Sequence, residues 1–111
     1  MEFVLRNLTK ISLNEWYSGK HWSKRDAIKS DYKWIIKSQV KGKFTRNKKY
    51  HCEYEFHFKQ NPLDATNTIA MVKMIEDCLF ESDKYDIVLS VKLSSLKDKD
   101  DFVVIKITEG V

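Results

Sequence analysis

The chain has 111 residues, of which 42% are hydrophobic and 13% aromatic, with three glycines and one proline. This length suits one domain, 1–111, and the composition argues against a disordered or fibrous chain. The net charge of +4 hides an asymmetry, because residues 1–49 carry 13 Lys/Arg against 4 Asp/Glu while residues 50–111 carry 7 against 12. A basic half of this kind favours a polyanionic partner such as nucleic acid, although a solvated surface without a partner has the same charges.

The sequence contains no signal for a membrane or for secretion. No apolar run approaches the roughly 20 residues of a membrane span, and the N-terminus lacks the charged-then-apolar order of a signal peptide. Cys52 and Cys78 are isolated, with no Cys-x-x-Cys and no clustered His. We therefore expect no membrane association, a cytoplasmic location, and neither a disulfide framework nor a structural zinc site.

The first third of the chain predicts a strand, a loop and a helix. Residues 2–8 are apolar and short and predict a strand, whereas residues 12–22 show neither helical nor strand periodicity and predict a long loop. Aromatic and cationic side chains are interleaved from this loop into the helix that follows. They either grip nucleic acid or pack as a small satellite core; the group is Trp16, Tyr17, Lys20, His21, Trp22, Lys24 and Arg25.

Ser23 is the predicted N-cap of a helix that runs to about Val40. Its inner face is marked by Ile28, Tyr32, Ile35, Ile36 and Gln39, and its outer face is cationic through Lys24, Lys33, Lys37 and Lys41. Trp34 lies off the inner stripe and is either a partner contact or a second packing surface. Gly42 suits the left-handed residue that follows a helix.

The clearest strand in the sequence covers residues 50–59, where apolar and polar residues alternate strictly. Its polar row, His51, Glu53, Glu55 and His57, has the residue types of metal ligands. Alternate residues of a strand stand about 7 Å apart, which is too far for neighbours in the row to share one ion readily. We expect a solvated face of mixed charge.

The turn at residues 61–68 leads into the second predicted helix, which ends at about Leu79 or Phe80. Thr66 or Asn67 is the predicted N-cap, and this helix start would place Asp64, Thr66 and Asn67 where unpaired N–H groups favour a phosphate. Apolar residues recur at helical spacing, whereas Lys73, Glu76 and Asp77 are predicted to face away; the apolar set is Ile69, Met71, Val72, Ile75, Cys78 and Leu79.

Two strands, near residues 87–94 and 103–108, are predicted to form a hairpin with a charged loop at residues 97–101. The complete order is strand, helix, strand, helix, strand, strand. This order predicts an α+β domain in which two helices cover one face of a mixed sheet of about four strands.

Three motifs carry a resemblance to a known family. Ser12-Leu13-Asn14 ahead of a basic helix, Asp64-Ala65-Thr66-Asn67 at the second helix and Ser82-Asp83 before a strand resemble the RusA-type Holliday junction resolvases of phages and bacteria. The resemblance covers nearly the whole chain and implies a homodimer that cuts branched DNA with Mg²⁺, or with Mn²⁺ as a substitute. It implies Asp64 and Asp83 as catalytic metal ligands, Thr66 at the position of a further ligand, and Asn67 as a catalytic residue that orients water or phosphate.

The chain departs from the family pattern at several positions. Thr66 replaces a carboxylate, Ala70 replaces a Lys, and Ser82 replaces an acidic neighbour of Asp83. A hydroxyl brings no negative charge, so affinity for Mg²⁺ should fall, and Thr66 serves equally well as an N-cap. A shift of one residue in the alignment would put Lys84 at the position of Asp83. If the site has shifted, other carboxylates could replace the negative charge lost at Thr66, and the candidates are Glu76, Asp77 and Glu81.

Three functions follow as hypotheses. The first is a Mg²⁺-dependent endodeoxyribonuclease that resolves Holliday junctions or other branched DNA in recombination and repair. The second is a catalytically inactive RusA-like protein that binds nucleic acid without cutting it. The third is a protein-interaction module anchored by Trp16, Trp22 and Trp34. In the first two, the DNA contacts are assigned to Trp16, Lys20, Trp22, Lys24 and Arg25.

Helix geometry predicts how the subunits of an active enzyme would assemble. Asp64 precedes and Asp83 follows a helix of about 15 residues, which separates the two carboxylates by roughly 22 Å. One ion cannot contact both from the ends of a straight helix, because ligand distances to Mg²⁺ are about 2.1 Å. Either one of the two is not a ligand, or the chain after Phe80 doubles back, or the ligands come from different subunits. A two-fold dimer with antiparallel second helices would place Asp64 of one protomer beside Asp83 of its partner.

Overall fold

The computed structural model describes residues 1–18 and 22–110, without the side chains of residues 22 and 23. Four strands, β1 (Glu2–Arg6), β2 (Tyr50–Phe58), β3 (Val88–Lys97) and β4 (Phe102–Glu109), form one mixed sheet in the order β1-β4-β2-β3. The helices are α1 (Leu13–Tyr17), α2 (Trp22–Gln39) and α3 (Ile69–Leu79), with a 3-10 turn at Ala65–Thr68. The predicted α+β class and element order are confirmed, with α1 as an addition.

The sheet has its most buried strand, β2, between a parallel and an antiparallel neighbour. β2 pairs in parallel with β3 and antiparallel with β4, and β1 pairs antiparallel with β4. A parallel pair needs a crossover connection, and α3 supplies it between β2 and β3. β1 ends where Asn7 takes a φ of 68°, two residues before the predicted end of that strand.

The predicted hairpin between the last two strands is wrong. β3 and β4 follow one another in the chain, but β2 lies between them in the sheet. The connecting residues pass over the end of β2, where the Asp98 N–H donates a hydrogen bond of 2.9 Å to the Phe58 carbonyl. The alternating pattern of each segment predicted that it forms a strand. Which strands pair with each other depends on tertiary packing, which the pattern of one strand does not show.

One face of the sheet and the inner sides of the helices form the core. The alternation predicted for β2 is confirmed, because its inward side chains are 1–3% exposed: Tyr50, Cys52, Tyr54, Phe56 and Phe58. Tyr32 and Ile36 of α2 are also buried, at 0% and 2% exposure. The other face of the sheet carries Glu53, Lys92 and Lys106 in the open.

The predicted loop at residues 12–22 contains the short helix α1. Ser12 is its N-cap: the Ser12 hydroxyl accepts a hydrogen bond from the Glu15 N–H at 3.0 Å, and the Glu15 carboxylate accepts one from the Ser12 N–H at 3.3 Å. This is a capping box, the Ser-x-x-Glu pattern that the sequence shows at residues 12–15. The loop prediction was wrong because the helix is too short to show a period.

α2 begins one residue earlier than predicted, at Trp22, so Ser23 lies inside the helix rather than at its N-cap. Gly42 takes a φ of 76°, the left-handed conformation predicted for the end of this helix. None of the helices in the described part of the chain is long and apolar enough to cross a membrane.

The turn before α3 differs from the prediction in its detail. Thr66 and Asn67 lie within the 3-10 turn rather than at an N-cap, and α3 itself begins at Ile69. The Thr68 hydroxyl donates to the Ala65 carbonyl at 2.6 Å, so this threonine holds the turn. Lys10 also braces the segment, since its ammonium donates to the carbonyls of Gln60 and Asn61 at 2.8 and 3.1 Å.

Candidate nucleic-acid interface and predicted carboxylate site

The predicted catalytic residues lie at the two ends of the segment formed by the 3-10 turn and α3. Asp64 precedes the turn and Asp83 follows α3. From residue 65 to residue 79 the helical rise amounts to roughly 24 Å. Asp64 and Thr66 are exposed, and the Asp64 carbonyl accepts a hydrogen bond from the Asn67 N–H at 2.8 Å. The structure thus gathers Asp64, Thr66 and Asn67 at one end and leaves Asp83 at the other.

Asp83 instead belongs electrostatically with two carboxylates of α3. Burial is the main cause that raises the pKa of Glu76, and the charge of Asp83 raises it further. The pKa of Asp77 is also raised, by desolvation first and then by Asp83, against the opposing effect of Lys29, Lys73 and Lys43. A neighbouring negative charge disfavours the ionised form of a carboxyl and so raises its pKa.

Glu76 is buried, so the prediction that it faces away from the core is wrong. Glu76 is 8% exposed, and the Tyr54 hydroxyl donates a hydrogen bond of 3.0 Å to its Oε2. The raised pKa of Cys52, about 12, has burial as its first cause and the charge of Glu76 as its second. Helical spacing does place residue 76 beside the apolar stripe, and the tyrosine on β2 supplies the partner that a buried carboxyl needs.

The described residues contain no cluster of three or more side chains of the types that ligate metals. Among residues 1–18 and 22–110, no three His, Cys, Asp or Glu side chains are grouped so that they could hold an ion. The polar row on β2 is engaged separately: His51 Nδ1 lies 2.6 Å from the Ser90 hydroxyl, and His57 Nδ1 lies 2.7 Å from Asp98 Oδ2. His57 also stacks on Phe102, with ring centroids 4.1 Å apart.

Cationic residues recur along one side of α2. Arg25, Lys29, Lys33 and Lys37 follow one another at intervals of four residues, and we call this set the basic row. Each interval advances about 6 Å along the helix and about 40° around it, so the row is a gently winding stripe roughly 18 Å long. The three lysines are exposed, while Arg25 is half-buried.

At its C-terminal end the row borders a groove between α2 and α3. The groove has a volume of about 280 Å³ and combines three cations with an apolar floor. The Lys43 ammonium is anchored there, because it donates a hydrogen bond of 3.3 Å to the Asp77 carbonyl. Burial raises the pKa of Cys78, and Lys43 and Lys33 oppose the shift. The groove is lined by Lys33, Ile36, Lys37, Val40, Gly42, Lys43 and Cys78.

At its N-terminal end the row meets the aromatic residues of α1. The Arg25 guanidinium lies 5.7 Å from the ring centroid of Trp16 and 5.9 Å from that of Tyr17, and the Lys29 ammonium lies 6.0 Å from the Trp16 ring. Trp16 is only 8% exposed, so it packs as part of the core, whereas Tyr17 is 64% exposed. These cation–π contacts hold the cations of the row against α1.

The remaining predicted contact residues have different positions. Lys24 is exposed and lies on α2 outside the row. Lys20 and the side chain of Trp22 fall outside the part of the chain that the structure describes. Lys29 and Lys43 were missed by the sequence reasoning. The recurrence of Arg or Lys at residues 25, 29, 33 and 37 was a signal for Lys29, but Lys43 joins the groove only through the packing of α2 against α3.

The buried carboxyl of Glu76 makes stability depend on pH. The folded state has the higher pKa and therefore binds more protons than the unfolded chain, whose pKa is near 4.5. The contribution of the Glu76 carboxyl to stability is fully present below that value and is lost as pH rises through the folded pKa. In Glu76→Gln the amide oxygen can still accept the Tyr54 hydrogen bond, so we expect a higher melting temperature than wild type at about pH 8, with a difference that shrinks toward about pH 4.

Thermal melting followed by circular dichroism across this pH range measures the effect. Glu76→Ala serves as the control, since it removes the acceptor and leaves the Tyr54 hydroxyl unpaired, and it should melt below Glu76→Gln at every pH. A constant difference between Glu76→Gln and wild type across the range would show that the carboxyl does not titrate differently on folding.

No protein-family model, curated protein or solved structure matches this chain.

Proposed function

We propose that this protein binds nucleic acid through the basic row of α2. The observation that supports the proposal is the recurrence of a cation at every fourth residue of α2. Lys29, Lys33 and Lys37 are exposed, and the half-buried Arg25 stands at the end of the row that meets α1. Along the axis of a duplex, each strand has a phosphate every 3.4 Å or so. A row of roughly 18 Å parallel to that axis therefore extends over about five phosphates of one strand. The groove that follows it adds Lys43 to the same surface.

Among the described residues, no cation of the row forms a salt bridge, although Lys29 opposes the rise in the pKa of Asp77. α2 carries five Lys/Arg, and its carboxylates are Asp26 and Asp31. Within the described residues, the ion pairs lie elsewhere, at Lys48, His57 and Lys106. When exposed cations without carboxylate partners contact phosphates, the counterions condensed on the nucleic acid are released. This release favours binding at low salt. The proposal agrees with the basic first half of the sequence. It includes a cytoplasmic location in a bacterial or phage-infected cell.

A second candidate is the metal-dependent endonuclease that the family resemblance implies. Asp64 stands at the N-cap position of the 3-10 turn, yet its side chain makes no capping hydrogen bond, so the carboxylate is available to a ligand. Because Asp64 and Asp83 lie at opposite ends of α3, this candidate needs the homodimer in which two chains share each site. α3 exposes only Lys73 and Asp77 fully, so an antiparallel pairing of two α3 helices would meet at these residues.

One set of samples tests both candidates. Labelled single strands, duplexes and four-way junctions are titrated with protein over a series of salt concentrations, and the junction samples receive Mg²⁺ or Mn²⁺ and are run on a denaturing gel. For four phosphate contacts we expect the logarithm of the affinity to fall with the logarithm of salt concentration with a slope of about −3.

The outcomes separate the candidates. Absence of binding at low salt, or binding that salt does not weaken, would refute the proposed function. Junction cutting that both Asp64→Asn and Asp83→Asn abolish supports the endonuclease. If the junction stays uncut at saturating protein with either metal, the endonuclease is refuted and the protein binds nucleic acid without cutting it.

A further inference from the structure

Trp34 is an exposed aromatic residue on a rigid helix. Its residue is 76% exposed, although it lies only two positions from Tyr32 and Ile36, which are 0% and 2% exposed. Two residues correspond to about 200° around a helix, so the indole points away from the core because of helix geometry. Tryptophan is usually largely buried, and one held in solvent by a regular helix needs an explanation.

The immediate neighbours of Trp34 leave its ring accessible. The positions four residues away on either side are serines, Ser30 and Ser38, which are too small to cover an indole. Lys37, a member of the basic row, is three residues further on and therefore stands beside the ring on the helix surface. Asp31, three residues earlier, lies on the side away from the row. The indole thus borders the cationic stripe directly.

The surroundings favour a nucleobase over an apolar protein surface. The large exposed hydrophobic residues among the described side chains are Met1, Val4, Tyr17, Trp34, Tyr85 and Val91, and α2 contributes only Trp34. A protein-binding anchor normally stands within an apolar patch, whereas this ring stands among serines and lysines. Aromatic rings beside a cationic groove are the usual arrangement for stacking bases while the cations bind the backbone.

We infer that Trp34 is a stacking platform for an unpaired base, which would make the nucleic-acid site selective for single strands or for unpaired segments of a larger structure. The inference depends on the proposed function, because the basic row supplies the phosphate contacts. Bases inside a duplex already have both faces stacked, so the indole can add little to duplex binding. The row binds phosphates of either form, and Trp34 distinguishes them.

The test compares a labelled single strand of thymidines with a duplex of the same length. Wild type should bind the single strand more tightly, and Trp34→Ala should weaken single-strand binding roughly 5- to 150-fold, the range for loss of one stacked base. Duplex binding should change less than about twofold, because the row is intact. Trp34→Tyr keeps an aromatic face and should retain most of the single-strand affinity.

Tyr85→Ala is the matched control, since it removes an aromatic side chain that is 90% exposed and lies outside α2. It should leave both affinities unchanged, and thermal melting of each variant checks that the fold is intact. Sedimentation of wild type and Trp34→Ala over a range of concentrations shows whether the indole instead holds two copies together.

The possible results distinguish the stacking role of Trp34 from the proposed nucleic-acid binding itself. An equal effect of Trp34→Ala on single strand and duplex, or no effect on either, overturns the stacking platform and leaves the proposed function standing. Self-association that Trp34→Ala abolishes also overturns it, in favour of a contact between copies. Failure of wild type to bind either probe overturns the proposed function together with the inference.

Discussion

Replacing Lys29, Lys33 and Lys37 together by glutamine is expected to weaken nucleic-acid binding roughly 100-fold at about 0.1 M salt. Each lost phosphate contact removes about 0.7 to 0.9 from the magnitude of the negative slope of log affinity against log salt, so the slope should become less steep by about 2 to 3. Glutamine has nearly the helix propensity of lysine, and the three residues are exposed, so α2 should remain folded. Fluorescence anisotropy with a labelled oligonucleotide measures both quantities.

The matched control changes the same charge elsewhere. Lys59, Lys92 and Lys97 are also exposed, lie outside α2 and form no salt bridge among the described residues, and their replacement by glutamine gives the same net charge. If binding depends on the row, this control should retain most of the affinity, apart from a small loss of long-range attraction. Equal losses in the two triple variants would mean that net charge, rather than the face of α2, determines binding.

Phe56→Ala is expected to lower the free energy of unfolding by about 3–5 kcal/mol, which is a large part of the stability of a small domain. Phe56 is 1% exposed on the central strand β2, and its ring stacks on Phe58 with centroids 5.9 Å apart. The loss combines the transfer of the ring to water with the cavity that remains. At about 4 °C per kcal/mol, the melting temperature should fall by roughly 12–20 °C.

Two further variants make this expectation robust. Phe56→Leu keeps most of the buried volume and should cost about 1–2 kcal/mol, so it remains measurable if Phe56→Ala does not fold. Tyr85→Ala removes a ring that is 90% exposed and should change stability by less than about 0.5 kcal/mol. Comparable losses for Phe56→Leu and Tyr85→Ala in urea titrations would contradict the buried position of Phe56.

The candidate interface could be predicted in part. The cationic outer face of the helix near residues 23–40 follows from helical period, and Lys33 and Lys37 were predicted to lie on it. Trp34 was predicted to lie off the inner stripe, and its exposure of 76% excludes packing within the described chain. The groove beside Lys43 could not be predicted, because it forms between α2 and the end of α3.

The wrong predictions have separate physical causes. α1 was missed although its capping box is local, because five residues are too few to show a helical period. Glu76 was placed outside because a carboxylate is costly to bury, and its partner Tyr54 comes from a strand 22 residues earlier in the chain. The prediction of a hairpin between the last two strands was wrong because neighbours along the chain need not be neighbours in a sheet.

The periodicity of single segments was enough to predict the alternation of β2, the cationic outer face of α2 and the position of Trp34 off its inner stripe. The order of the segments predicted the α+β class. Only the tertiary structure shows that β2 separates β3 from β4, that Glu76 is buried against Tyr54, and that the charge of Asp83 raises the pKa values of Glu76 and Asp77. These features depend on which faces meet when the segments pack together, and the periodicity of a single segment carries no information about its partner.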